Sequence, residues 1–314
     1  MSDLARAADF LTHHVGVRRL HEQRVVRVWG DDARTWLSGQ VTNDLRAARP
    51  GDSVYALVLN GKGKIVADVH ALDRGDDWLL LVPTQACDAL LAHLEHYIIM
   101  EDVTLTPLDE LVVLTAQGPA ARAAVDAASI PDALTFTSDR LGAGGVDVLV
   151  PAAHADAALD ALARSAQSHG GDSVDDDAWA LAAVRAGRPR FGVDFGDRHY
   201  PQEAGLRERA VSFTKGCYLG QEVVCTLESR GQLVRKLVQL ESPSPIAAPF
   251  TAGAAIHLDD GSEIGAVTSS ALDPSRGITL ALGYVKRARA IAGAAVRIAD
   301  TDATIARVLV ADGG

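Results

Sequence analysis

The sequence predicts an α+β protein in two parts, an α/β region over residues 1–230 and a small antiparallel β-barrel domain over 231–314. Three observations lead there. Strand-like runs alternate with helix-like runs as far as Gly231, which is the texture of mixed α and β structure. Beyond Gly231 the chain turns to short strand-like runs at regular spacing, separated by glycine, aspartate and serine. The length of 314 residues corresponds to about two domains at roughly 150 residues each, enough to bury a sizeable core.

Taken in order, EQRVVRVW (residues 22–29) reads as a short strand, and Asp31 and Asp32 mark the start of a helix through ARTWLSGQ. YALVLN, the turn GKGK and IVADVHAL form a hairpin signature, with Gly61 and Gly63 expected to supply positive φ in the loop. WLLLVP (78–83) is a third strand. TQACDALLAHLEHYIIM (84–100) carries leucine and isoleucine at helical spacing and predicts one packed helix. Strands follow in DVTLTPL and ELVVLTAQG, a helix over 119–128, and a strand-to-helix step in VDVLVPAAHADAALDALARSAQ. SVDDDAWALAAVRAGRPRFG predicts a helix opened by a Ser173/Asp176 capping box and stopped at Gly187. The acids of DSVDDD belong to that helix start, where the macrodipole favours them, and are assigned no function. After Gly231 come LVRKLVQL, a Pro/Ala linker SPSPIAAP, and the runs AAIHL, IGAVTS, ITLALGYV, AAVRIA and ATIARVLV, five or six strands of a barrel. No sequence repeat is visible, although two α/β halves before Gly231 are compatible with an old duplication.

Charge and cysteine usage narrow the function classes. A net charge of -11 argues against broad nucleic-acid or anionic-membrane binding, which lysine and arginine would have to support. The N-terminus lacks the basic start and apolar core of a signal peptide, and no apolar run reaches the ~20 residues of a membrane span. Cys87, Cys217 and Cys225 make neither a disulfide framework nor a CxxC zinc pattern, so a reduced, cytoplasmic setting without a resident metal is expected. Histidines show no ligand spacing, and His13/His14 read as surface. There is no P-loop, and no GxGxxG in a βαβ setting.

The densest chemistry lies in TKGCYLGQEVVCTLESRG (214–231). Lys215 stands two residues before Cys217, and Gly216 and Gly220 bracket the thiol; a nearby ammonium favours the thiolate. Local chemistry leaves two readings of Cys217 open, a reactive thiol or a small buried hydrophobe. Cys225 falls inside a helix expected from Gln221, about 12 Å away at ~1.5 Å rise per residue, too far for a disulfide or a shared metal, and reads as core, as does Cys87. In IVADVHA, alternation puts Ile65, Ala67, Val69 and Ala71 on one apolar face and Lys64, Val66, Asp68 and His70 on the other. Asp68 is then either on a solvated face or in a cavity where its carboxylate binds a polar heterocycle. Glu203, after a proline in PQEAGL, suits two parallel N–H bonds from an amidine-like edge such as that of a pterin. Arg235 and Lys236 pair with anionic ligand groups or with solvent.

Together, WLSGQVTNDL, LNGKGKIVADV, RAGRPRFGVD followed by PQEAGL, KGCYLGQE with the downstream Arg230-Gly231, and IGAVTSSALDP with ALGYV resemble the YgfZ branch of the glycine-cleavage T-protein superfamily of folate-binding proteins, over nearly the whole chain. KGCYxGQE is specific to that branch and absent from true aminomethyltransferases. The resemblance implies two α/β units and a C-terminal barrel, ring-like around a channel that admits tetrahydrofolate. It also implies a part in assembly or repair of iron-sulfur clusters in selected enzymes, including ones that modify tRNA. Cys217 and Lys215 are then the reactive pair, and Asp68, Glu203, Tyr218, Gln221, Glu222, Arg230 and Arg235 the folate-binding set. The expected partners are folate and iron-sulfur client or scaffold proteins, with no direct nucleic-acid or membrane contact, for a monomer. One departure matters: aminomethyltransferases carry an Asp-Asp pair where this chain has Ala67-Asp68, which speaks against the alternative of a folate-dependent one-carbon or aminomethyl transferase. A third reading is a redox-sensing binding protein in which folate is incidental.

Overall fold

A computed structural model describes residues 2–230, 233–243 and 248–310. Gly231, where the expected boundary falls, and residues 244–247 of the expected linker lie outside the described residues, as does the side chain of Arg230.

Sixteen strands and eight α-helices follow one another along the described chain. The first stretch runs α1 (Asp3–His13), β1 (Gly16–Arg19), β2 (Gln23–Trp29), α2 (Ala33–Gln40), β3 (Ser53–Leu59), β4 (Ile65–Asp73), β5 (Trp78–Pro83), α3 (Cys87–Glu95) and β6 (Thr104–Pro107). A second runs β7 (Leu111–Gln117), α4 (Ala121–Ala128), β8 (Leu134–Thr137), β9 (Gly145–Pro151), α5 (Ala155–Ser168) and β10 (Asp172–Ser173). Then come α6 (Asp176–Ala186), α7 (Arg207–Ala210), α8 (Gln221–Arg230), β11 (Arg235–Ser242), β12 (Ala255–His257), β13 (Glu263–Asp273), β14 (Ile278–Lys286), β15 (Ala295–Ile298) and β16 (Thr301–Val308).

These elements make two compact units. One comprises Phe10–Val174 with Glu208–Val223; the other Met1–Asp9, Asp175–Arg207 and Val224–Gly314. The first unit holds two five-stranded sheets, in the orders β3-β4-β5-β2-β6 and β10-β1-β7-β9-β8. In the latter, Val17, Leu114, Val146 and Val148 pack against Ala124 and Val125 of α4 and Leu162 of α5, the buried stripe of each helix meeting the apolar face of the sheet. The second unit is built on a closed six-stranded barrel, β11-β14-β13-β12-β15-β16. Alternation fills its interior with Val238, Leu240, Ile256, Ala281, Val285, Ile298 and Ile305 and turns Leu237, Leu280, Leu282 and Tyr284 to the outer wall.

Four local expectations need correction. The helix expected over 84–100 has a 3-10 turn at its start and ends at Glu95; the chain turns through Tyr97 and leaves Ile99 and Met100 exposed. Its terminator is tertiary: Trp36 Nε1 donates to the Tyr97 carbonyl (3.0 Å), and the Glu101 carboxylate accepts the N–H groups of Ile99 (2.9 Å) and Met100 (3.0 Å). In α6 the cap is Asp175, whose side chain accepts the Ala178 N–H at 2.8 Å, rather than Ser173, which lies in β10; Gly187 ends the helix at φ +66°. Of the hairpin glycines only Gly63 takes a positive φ (+71°). Cys225 is half-buried on α8 rather than core, whereas Cys87 is buried. Unread in the sequence were α1, β1, β8, β10 and α7, short or amphipathic pieces.

Candidate functional site

The first unit contains the signature segment. Lys215 is buried, and its ammonium donates to three backbone carbonyls, those of Ser38 (2.5 Å), Val41 (2.6 Å) and Asn43 (2.9 Å), at the C-terminal end of α2 where helix carbonyls lack partners. Burial pushes its pKa down to about 8, with Asp44 acting in the opposite sense and Arg46 in the same sense. At neutral pH the group is still a cation, also 5.3 Å from the Tyr218 ring centre. Its three donors are committed to these carbonyls, which pins the loop that carries Cys217.

Two further contacts pin that loop. The Leu219 N–H donates to the Gly39 carbonyl (3.2 Å). Gly220 (φ +81°) and Gly63 pass so closely that a Cβ on Gly220 would come 2.7 Å from the Asn60 carbonyl oxygen, and one on Gly63 would meet Val223 at 2.9 Å. Glycine is needed at both positions by conformation and by space. Between these anchors Cys217 is exposed, which answers its open question against the buried-filler reading. Tyr218 is buried beside it, and half-buried Gln221 and exposed Glu222 open α8.

Asp68 lies on β4, one strand from Tyr55 on β3, and the predicted faces hold: Ile65, Ala67, Val69 and Ala71 are fully buried. The opposite face is partly covered: Lys64, Val66 and Asp68 are half-buried and His70 is buried. Tyr55 donates its hydroxyl to Asp68 Oδ2 (2.9 Å), while Oδ1 is buried with no hydrogen-bond partner. The Tyr55 ring lies 4.9 Å from that of His70 and 5.0 Å from the Arg209 guanidinium carbon. Arg140, paired through two nitrogens with the buried Asp147, completes the set of charges around Asp68. Burial raises the Asp68 pKa against the pull of the Tyr55 hydroxyl and the two arginines; burial, then Asp68, raises that of Tyr55. His70 is pushed well down by burial and by both arginines, so it is neutral. With one carboxylate oxygen shut off from solvent, half-buried Asp68 fits the cavity reading better than the solvated-face one. A buried carboxylate oxygen without a donor fits an N–H-bearing heterocycle such as a reduced pterin. Tyr55, Arg140 and Arg209 were not found by sequence reasoning, since nothing local links positions 55, 68, 140 and 209.

The second unit contains Glu203 and Arg235. Glu203 is 5% exposed; its Oε2 accepts the Tyr200 N–H (3.2 Å) and its Oε1 lies 3.7 Å from Arg235 Nε. The Arg235 guanidinium also donates to the Arg198 carbonyl (3.3 Å) and covers the Tyr284 ring at 4.9 Å. Lys236 is buried. Neither side chain is the freely solvated cation that the sequence left as one option. Among the described residues there is no group of three or more His, Cys, Asp or Glu side chains able to hold a metal ion, and no helix long and apolar enough to cross a membrane.

Two family models match this chain: the GCVT N-terminal domain over residues 3–140 and the glycine cleavage T-protein C-terminal barrel domain over residues 235–311. The chain belongs to the glycine-cleavage T-protein superfamily. Curated relatives include the tRNA-modifying protein YgfZ of Serratia proteamaculans, 29% identical over 234 residues, 71% of this chain and 69% of the relative. That of Cronobacter sakazakii is 28% identical over 228 residues, 69% of this chain and 68% of the relative. Among solved structures, the glycine cleavage system aminomethyltransferase T from Bartonella henselae superposes with a TM-score of 0.84 at 22% identity, covering 99% of this chain and 90% of that one. The fold is thus that of the T-protein superfamily, with the closed six-stranded barrel at its C-terminal end. Within it, the Ala67 side chain faces the core and is fully buried, so residue 67 adds no second carboxylate beside Asp68.

Proposed function

We propose that this member of the superfamily is a tetrahydrofolate-binding accessory protein for the assembly or repair of iron-sulfur clusters, and thereby for tRNA-modifying and other cluster enzymes. The observation that carries the folate half is the buried Asp68 Oδ1, which lacks a donor and suits a ring N–H. Within the second unit, Glu203, held by Arg235, is proposed as the contact to the pterin edge; within the first, Asp68, held by Tyr55, is proposed separately as a folate-binding carboxylate. When bound, a reduced folate supplies a nucleophilic ring nitrogen that can carry one-carbon units.

Cys217 is proposed as the working thiol. It is exposed on a segment fixed at Lys215, Leu219 and Gly220, so the sulfur is presented from a rigid base, and relatives that share the fold are named for tRNA modification. A true aminomethyl transfer needs an acid or base held at the reacting nitrogen, and the single carboxylate at position 68 gives weaker support to that alternative. The test is complementation of a deletion strain, reading the activity of an iron-sulfur tRNA-modifying enzyme. Wild type is expected to restore it and Cys217→Ser to fail while still binding tetrahydrofolate; full restoration by Cys217→Ser sinks the thiol role. Formation of methylene-tetrahydrofolate from an aminomethyl-loaded carrier protein would instead favour the transferase.

A further inference from the structure

The outer wall of the barrel carries a polar atom that none of the assignments above uses. Tyr284 is 6% exposed, on β14, and its hydroxyl is buried without a hydrogen-bond partner. Tyr284 pairs in register with Leu237 of β11, which makes Arg235, two residues back on the same face, its diagonal neighbour. The ring is held between two partners: the Arg235 guanidinium carbon at 4.9 Å and the His199 ring at 4.8 Å, tilted by 35°. Arg235 in turn lies 3.7 Å from Glu203, so the idle hydroxyl belongs to the same cluster as the carboxylate proposed to take the pterin edge.

The obvious internal acceptor is already in use. Asp194 influences Tyr284 electrostatically, yet its Oδ1 accepts the hydroxyls of Thr268 and Ser269 (both 2.6 Å) and its Oδ2 the Arg190 N–H (2.9 Å). Burial, with Asp194 and Glu203 adding to it, raises the phenol pKa well above its ordinary value, so at neutral pH the group is an intact O–H. A phenol fixed by stacking, stripped of water and given no partner is costly to the free protein. The same features make it a preorganised contact for a ligand atom.

We propose that Tyr284 Oη hydrogen-bonds the ligand held by Glu203 and Arg235, reading a carbonyl or ring nitrogen next to the amidine-like edge that the glutamate takes. This rests on the folate reading above and adds a selecting residue to it. His199 and Arg235 act on Tyr284 as positioning residues.

Anaerobic titration with tetrahydrofolate of wild type, Tyr284→Phe and Glu203→Ala, with melting temperatures of the ligand-free proteins, tests it. Removing an unsatisfied buried hydroxyl leaves the ring contacts in place, so Tyr284→Phe is expected to melt at or above the wild-type temperature while its Kd rises roughly tenfold. The two readouts move in opposite senses only if the ligand uses the hydroxyl. An unchanged Kd in Tyr284→Phe, with binding lost in Glu203→Ala, overturns the inference and leaves the folate reading standing. Weaker binding accompanied by a lower melting temperature also overturns it, since the hydroxyl would then be structural. Absence of binding by wild type overturns the folate reading and the inference together.

Discussion

Lys215 stands two residues from an exposed thiol, yet its ammonium serves three carbonyls near the end of α2. Replacing it by methionine strands those acceptors, and Lys215→Met is expected to lose about 2 kcal/mol in urea denaturation. The pH dependence has a definite sign. The folded pKa of about 8 lies below the ordinary 10.5, so between these values the unfolded chain holds the proton more tightly than the folded one. Wild type therefore gains stability from this residue as pH climbs from about 8 to 10.5, and Lys215→Met lacks that gain; parallel stability profiles for the two proteins across the window would contradict the assignment. Asp68→Asn keeps the shape and an acceptor for the Tyr55 hydroxyl while removing a charge that burial disfavours. It is expected to leave the melting temperature equal or higher and to weaken tetrahydrofolate binding at least tenfold, measured by anaerobic titration.

Helix ends show what local sequence carries and what it does not. Asp175 is a local signal: its side chain takes the Ala178 N–H, and Asp175→Ala should cost about 1 kcal/mol in thermal unfolding. The capping box read from Ser173 falls two residues too early, because Ser173 pairs with Val17 in β10 and leaves the cap to Asp175. The end of α3 is not local. Residues 96–100 keep helical spacing and contain neither glycine nor proline, but Trp36, sixty-one residues away, claims the Tyr97 carbonyl. The isoleucine and methionine that the periodicity would bury are exposed, so Ile99→Ser and Met100→Ser should shift the melting temperature by no more than about 1 °C. By contrast β4 was legible in full, because a period of two with one wholly apolar face admits a single register.

Across the chain, the barrel and the alternation of strand and helix before it were visible in the sequence, since both are written in short-range periodicity. The composition of the compact units was not: the second unit takes Met1–Asp9 and Asp175–Arg207 as well as the barrel strands. Arg185 shows what ties those pieces together, binding the fully buried Asp273 through two nitrogens (2.9 and 2.6 Å) and Asp9 at 2.8 Å. Arg185→Met leaves a buried carboxylate short of its cation and should lower stability by about 3 kcal/mol in denaturant unfolding. Cys217, Asp68 and Glu203 were singled out by local chemistry and given roles by the family motifs. Tyr55, Arg140, Arg209 and Tyr284 were not, because each earns its place by contacts far apart in the chain. The central claim is that this fold, with a lone carboxylate at position 68, binds reduced folate. Anaerobic titration of wild type and Glu203→Ala with tetrahydrofolate tests it most directly: micromolar binding by wild type, weakened in the variant if Glu203 is a contact, is the predicted result, and no binding by wild type would contradict it.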